Sequence, residues 1–298
     1  MRVLFAAPDA MWPAWAPALR AACPEMDLRR DGPPESFDAI IYAPGGLDDF
    51  APYVNARLVQ SLWAGVERIV GNATLTQPLA RMVDPGLRHG MAEYCTGWTM
   101  RAHLRMDDYA QDGIWRNAQT PPLAADRRVT VLGMGELGGA VAGMLSAIGF
   151  DVAGWSASGR GAEFAGAGGL PRALARAEVL ICLLPDTPDT RNLLNADRLA
   201  MLPRGAWIIN PGRGTLINDA ALIAALDTGH VGHAVLDVFR TEPLPAAHPF
   251  WAHPCVTVTP HIAAETRPQT SAPVVAENLR RIMAGQGPLY LVDRGRGY

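Results

Sequence analysis

Residues 129–139, VTVLGMGELGG, constrain the fold of this chain more than any other stretch. An apolar run that reads as a buried strand meets Gly133-x-Gly135-x-x-Gly138, and an Ala/Val/Leu-rich segment that reads as a helix follows. A second strand-like run at 151–155 arrives at the interval of a strand–helix–strand unit. In such a turn Gly133 permits the tight bend. Gly135 lets the backbone approach a pyrophosphate, and Gly138 lets the helix pack on the strand. The free N–H groups of the helix start, at Glu136 and Leu137, then hold the phosphates. The stretch predicts a dinucleotide-binding unit.

The rest of the chain repeats this alternation. Strands are expected over 3–6, 39–42 and 58–63, with a helix over 14–22 introduced by Pro13. After the turn signal Asp84-Pro85-Gly86, a long helical pattern covers about 91–109, and Pro121-Pro122 breaks the chain. A second series of strands is expected at 128–132, 151–155, 179–184, 206–209, 234–238 and 256–259. A last helix, about 271–284, returns to the first domain. The expected class is α/β with two doubly wound parallel-sheet domains. One is discontinuous, 1–95 with 268–298; the other, 96–267, binds the dinucleotide. The active site is expected in the cleft between them.

Composition narrows the chemistry. The 298 residues are 49% hydrophobic, enough for full cores. A formal net charge of −3 offers no basic field for nucleic acid. All 26 basic residues are arginine, which excludes Schiff-base chemistry on lysine and a Walker-type phosphate lysine. Cys23, Cys95, Cys182 and Cys255 show no metal or disulfide spacing, and Cys95 and Cys182 read as small core residues. The histidine pairs His230/His233 and His248/His253 lack carboxylate or cysteine companions, so no metal site is expected. No apolar run spans a bilayer, and the N-terminus reads as a strand rather than a signal peptide. A soluble cytoplasmic protein, with a small-molecule partner and neither a membrane nor a nucleic-acid partner, is expected.

The strand ends carry the candidate chemistry. In doubly wound sheets, ligands bind at the carboxyl ends of the strands. The run Gly154-Trp155-Ser156-Ala157-Ser158-Gly159-Arg160 puts Ser156 where an NAD site usually has an acid, with Arg160 close enough to pair with a 2′-phosphate. The reading leans to NADP and leaves NAD open. Arg213 sits between glycines after one strand, Glu242 follows the next, and His261 the one after that. Reduction of a 2-oxo acid needs a hydride at carbon and a proton at oxygen. His261 suits the proton donor, Glu242 the carboxylate that keeps it charged, and Arg213 the fork that binds the substrate anion and polarises its carbonyl.

These motifs, with LLPDTPDT, INPGRGTLINDAALIAALDTGHVGHAVLDVF, TEPLP, HPFWAHPCVTVTPHIAA and VDRGRGY, resemble the D-isomer-specific 2-hydroxyacid dehydrogenases over nearly the whole chain, and within them the branch that reduces glyoxylate and hydroxypyruvate. MAEYCTGWTMRAHLRMDDY resembles the family's linking helix. The resemblance implies a Rossmann cofactor domain inserted in a flavodoxin-like substrate domain. It implies Arg213, Glu242 and His261 as the catalytic triad, and Leu184, Pro185 and Ala263 beside the cofactor. Asp237 is implied as a partner of the nicotinamide carboxamide; a turn cap, or an orienter of Arg213, are its other readings. Ala64 and Gly65 resemble the loop whose backbone N–H groups hold the substrate carboxylate. NADPH preference, a homodimer and a D-configured product are implied too. Two departures stand out: Trp63 where the family has a small residue, and Ala157 where an arginine is common. A dehydrogenase for a bulkier 2-oxo acid or for an anion such as phosphite, and a dinucleotide sensor without turnover, are the alternatives.

Overall fold

A computed structural model describes residues 1–109, 113–115 and 120–297. Tyr298, the last residue of the VDRGRGY motif, lies outside the described residues. The chain divides into two compact units, one of Met1–Leu87 with Glu265–Tyr298 and one of Arg88–Ala264. The boundaries drawn from the sequence fall at 95/96 and 267/268.

The first unit opens with β1 (Arg2–Ala6), α1 (Trp12–Ala22), β2 (Asp27–Arg29), β3 (Ala39–Tyr42), β4 (Val59–Ser61) and β5 (Leu79–Ala80). Helix α2 (Pro85–Leu104) leads into the second unit. There follow β6 (Arg128–Leu132), α3 (Glu136–Ile148), β7 (Asp151–Ser156), β8 (Phe164–Ala165), α4 (Gly166–Arg176), β9 (Val179–Cys182), α5 (Ala196–Leu199), β10 (Ala206–Asn210), α6 (Asp219–Asp227), β11 (Val231–Leu236) and β12 (Val256–Val258). Helix α7 (Pro268–Met283) returns to the first unit.

Both sheets are parallel. Their orders are β2-β1-β3-β4-β5 and β12-β11-β10-β9-β6-β7-β8. These are a flavodoxin-like and a Rossmann arrangement. The central strands are largely apolar because both faces are covered, with buried polar exceptions such as Gln60, Thr130 and Asn210. In the second unit Val131, Ile181, Ile209 and Val235 meet α2 and α3 through Cys95, Val141 and Leu145. Their neighbours Leu132, Leu180, Ile208 and Leu236 face the opposite layer, with Leu170, Leu222 and Leu226. In the first unit Val3, Phe5 and Ile41 pack with Leu19, Val275 and Leu279.

Several elements differ from the sequence reading. The strand expected over 58–63 is only Val59–Ser61. Helix α2 starts six residues earlier than expected and stops at Leu104, because Arg105 turns left-handed at φ 54°. Strands β2, β5 and β8 were not expected. Each has two or three residues, too few to show a periodic signal, and all three are sheet edges.

Candidate active site

The glycine turn behaves as its spacing demands. Gly133 has φ +102°, and a Cβ there would lie 2.6 Å from the carbonyl oxygen of Leu183. A Cβ on Gly138 would fall 1.8 Å from the oxygen of Gly133, so only glycine lets α3 sit this close to its own entry turn. At Gly135 a Cβ would meet nothing within 4 Å, which leaves open space over the helix start. No side chain caps that start. The first-turn N–H groups of Glu136, Leu137 and Gly138 are therefore the donors that a pyrophosphate needs. The Glu136 carboxylate pairs with Arg88 at 3.3 Å, and Leu137 packs into the core below. Glycine shape, open space and free donors together fit a dinucleotide.

At the end of β7 the Ser156 hydroxyl donates to the carbonyl of Arg160 at 3.2 Å, and the Arg160 amide to Ser158 Oγ at 3.4 Å. This tight loop leaves the Arg160 side chain exposed, and residues 156–162 contain no carboxylate. Leu184, at the exit of β9, packs under Gly133, and the Pro185 carbonyl accepts from Thr190 at 2.6 Å. Asp186 pairs with Arg191 at 2.8 Å. The Arg191 hydrogen bond holds the Asp186 carboxyl below the usual carboxylate range, and the charge of Arg213 acts in the same direction. Burial pushes the Cys182 thiol up to about 12, as suits an inert core residue.

Arg213 is set by its flanks. Buried Asn210 at the end of β10 accepts from the Gly212 amide at 3.2 Å and donates to the Arg213 carbonyl at 3.0 Å, closing the turn. A Cβ on Gly212 would come 2.7 Å from the carbonyl oxygen of Cys182, so the turn rests on β9. Gly214 lies against the backbone of Phe239, in the loop after β11.

That loop carries Glu242. Its Oε1 accepts from the Phe239 amide at 2.9 Å, and its Oε2 stands 2.8 Å from His261 Nδ1. The side chain of His261 is 54% exposed, against 33% for Glu242. With Nδ1 turned to the carboxylate, Nε2 is the nitrogen that can meet a substrate. Arg240 braces the same loop, bonding to Asp219, Asn192 and the Ile217 carbonyl.

His261 itself is left-handed at φ 57°. A non-glycine residue there costs about 1–3 kcal/mol and persists only when its surroundings fix it. Here its amide donates to the Asp237 carbonyl at 2.9 Å. The Asp237 carboxylate accepts from the Ile262 and Ala263 amides, both at 2.9 Å, and from Thr259 Oγ1 at 2.6 Å. Asp237 has no exposed surface. These bonds are those of a turn cap.

The second unit thus gathers the glycine turn, Ser156, Arg160, Leu184, Pro185, Arg213, Asp237, Glu242, His261 and Ala263. Trp63, Ala64 and Gly65 belong to the first unit, at the exit of β4. The Ser61 hydroxyl bonds to both the amide and the carbonyl of Trp63, at 3.1 Å each, and 41% of Trp63 is exposed. Sequence reasoning missed Asn210, Thr259, Tyr94 and Arg240. A polar Asn210 ending an apolar strand was a usable signal; for the others the sequence holds no local sign.

The histidines of the two candidate metal pairs have structural partners. His230 Nε2 lies 3.1 Å from the Leu199 carbonyl, and His233 Nε2 2.8 Å from Thr257 Oγ1. His248 and His253 accept backbone amides through Nδ1. Among the described residues no three His, Cys, Asp or Glu side chains gather to hold a metal, and no helix is long and apolar enough to cross a membrane.

A Rossmann glycine turn with a carboxylate-held histidine and an arginine at neighbouring strand ends defines an oxidoreductase of the dehydrogenase class. Residues 98–263 match the family described as D-isomer specific 2-hydroxyacid dehydrogenase, NAD binding domain. The chain belongs to the D-isomer specific 2-hydroxyacid dehydrogenases. It is 36% identical to a glyoxylate/hydroxypyruvate reductase A of Yersinia enterocolitica, with all of both chains covered. A D-isomer specific 2-hydroxyacid dehydrogenase of Xanthobacter autotrophicus Py2, solved with NADPH and MES, is 40% identical; its TM-score is 0.93, over 100% of this chain and 99% of that one. An NADPH-dependent glyoxylate/hydroxypyruvate reductase of Sinorhizobium meliloti, solved with NADP and sulfate, is 33% identical with a TM-score of 0.88 over the same shares.

Proposed function

We propose that this chain reduces a small 2-oxo acid, glyoxylate or hydroxypyruvate, to the 2-hydroxy acid with NADPH, the product of hydroxypyruvate having the D configuration. The observation that carries the reading is the 2.8 Å pair of Glu242 and His261, which leaves His261 Nε2 to give a proton to the substrate oxygen. The full-length likeness to the Yersinia reductase and to two NADP-bound relatives supports the substrate class and the cofactor.

The dinucleotide, when bound, supplies the hydride equivalent for the carbonyl carbon. Gly133, Gly135 and Gly138 shape its cradle, the amides of Glu136 and Leu137 hold its phosphates, and Arg160 with Ser156 accepts the 2′-phosphate. Leu184, Pro185 and Ala263 flank it. Arg213 binds the substrate anion and polarises its carbonyl. Glu242 orients the His261 ring and offsets its positive charge, so that the proton is delivered from Nε2 as the oxygen gains charge. The complete triad favours turnover over sensing. A homodimer working in the cytoplasm goes with this reading; light scattering on the purified protein checks the dimer.

Absorbance of the reduced nicotinamide tests the proposal, with NADPH and NADH crossed against glyoxylate, hydroxypyruvate and phenylpyruvate. Fast NADPH loss with the two small acids is expected. Turnover confined to phenylpyruvate, or tight cofactor binding with no turnover, overturns it.

A further inference from the structure

Behind the His261 turn, helix α2 reaches the site through one hydroxyl. Gly90 and Tyr94, four residues apart, share a face of α2. A Cβ on Gly90 would touch Ala264 at 3.7 Å, so this face runs along the turn that follows β12. The Tyr94 hydroxyl lies 2.7 Å from Thr259 Oγ1, across 165 residues of sequence.

The direction of these bonds follows from the proton count. A carboxylate only accepts, so the single Thr259 hydroxyl proton goes to Asp237, 2.6 Å away. Tyr94 must then donate to Thr259. Burial drives the Tyr94 phenol well above its ordinary value, so it keeps its proton at any pH at which the protein works. The Asp237 carboxylate, oriented from behind by Thr259, spends its remaining bonds on the amides of Ile262 and Ala263. Those are the two residues after left-handed His261.

We propose that Tyr94 is a positioning residue for the proton donor: the chain Tyr94–Thr259–Asp237 holds the backbone after His261 and so aims its imidazole. Resting on the function proposed above, this assigns a task to a linking-helix hydroxyl that touches neither substrate nor cofactor. Each link is a hydrogen bond between side chains of the second unit. The unstable element they fix is the one non-glycine left-handed residue of the triad.

The test uses Tyr94→Phe, which removes one oxygen and keeps the ring, with Thr259→Val and Thr259→Ser beside it. Protein labelled with [15N]histidine is compared by NMR, the His261 signals being assigned by their loss in His261→Gln. Turnover of glyoxylate with NADPH is measured in parallel. Tyr94→Phe and Thr259→Val are expected to displace the His261 amide and ring signals. They should lower kcat about 10- to 100-fold, the scale of a misplaced catalytic group, with the glyoxylate KM within about twofold. Thr259→Ser, which keeps the hydroxyl, should restore both. Unmoved His261 signals in Tyr94→Phe overturn the proposal, as does an unchanged kcat beside a lowered Tm. Wild-type protein that turns over none of the 2-oxo acids refutes the functional reading instead; the His261 signals then decide the chain by themselves.

Discussion

A Cβ on Gly214 would stand 2.0 Å from the carbonyl carbon of Phe239. The turn that carries Arg213 therefore presses on the loop that carries Glu242, and Phe239 is also the residue whose amide holds Glu242. Arginine, glutamate and histidine are linked through backbone as well as side chains.

Gly214→Ala should break that link. Overpacking of this kind costs about 1–3 kcal/mol, and here the obstacle is backbone that cannot rotate aside. Urea unfolding should show a loss of at least that size, and kcat of the folded fraction should fall more than about tenfold. Normal kcat in a destabilised variant would separate the Arg213 turn from catalysis.

Glu242→Gln keeps the size of the side chain and removes its charge. General acid–base groups contribute about 10²- to 10⁴-fold, so kcat is expected to drop at least about 10²-fold. His261→Gln should lose as much or more. Neither variant should change the NADPH Kd, read by fluorescence, by more than about twofold. A weakened Kd with near-normal kcat would place the pair in cofactor binding.

Arg160 is the one arginine on the loop after β7, next to a serine where an acid would repel a 2′-phosphate. A hydrogen bond to a charged group contributes about 1.5–3 kcal/mol, and exposure places Arg160 at the low end. Arg160→Ala should raise the NADPH KM about tenfold and leave NADH kinetics within about twofold. Equal loss with both cofactors would show that Arg160 shapes the loop rather than reads the phosphate.

His233 sets part of the acid limit of stability. It stacks on Trp207 with ring centroids 4.4 Å apart, and burial, with the charge of Arg101, holds its imidazole below the ordinary 6.5. The unfolded chain then takes up the proton first, so stability rises with pH in this window. The contribution is complete above about 6.5 and shrinks as pH falls from there to the folded-state value. His233→Gln should flatten the fall in urea midpoint between about pH 7 and pH 5. An acid limb with unaltered slope would assign the effect elsewhere.

Legibility followed the range of the interactions. The glycine turn and the central strands were readable because their causes lie within a few residues: φ at Gly133, contact at Gly138, and apolar runs buried on both faces. Arg213, Glu242 and His261 were readable because strand order puts them after successive strands of one sheet. The full-length helix α2 was not, since its first turn, from Pro85, carries no apolar periodicity and its end depends on one left-handed residue.

The sequence by itself determined a dinucleotide-binding α/β chain with an arginine, a glutamate and a histidine at strand ends, because strand period, glycine spacing and charge are local properties. Only the tertiary structure decided that Glu242 meets Nδ1 of His261 and leaves Nε2 open, that Asp237 caps a turn, and that Tyr94 bonds to Thr259. Those are contacts between residues 19, 26 and 165 positions apart, formed by the packing of the second unit, and no local pattern encodes a hydrogen bond made at that range.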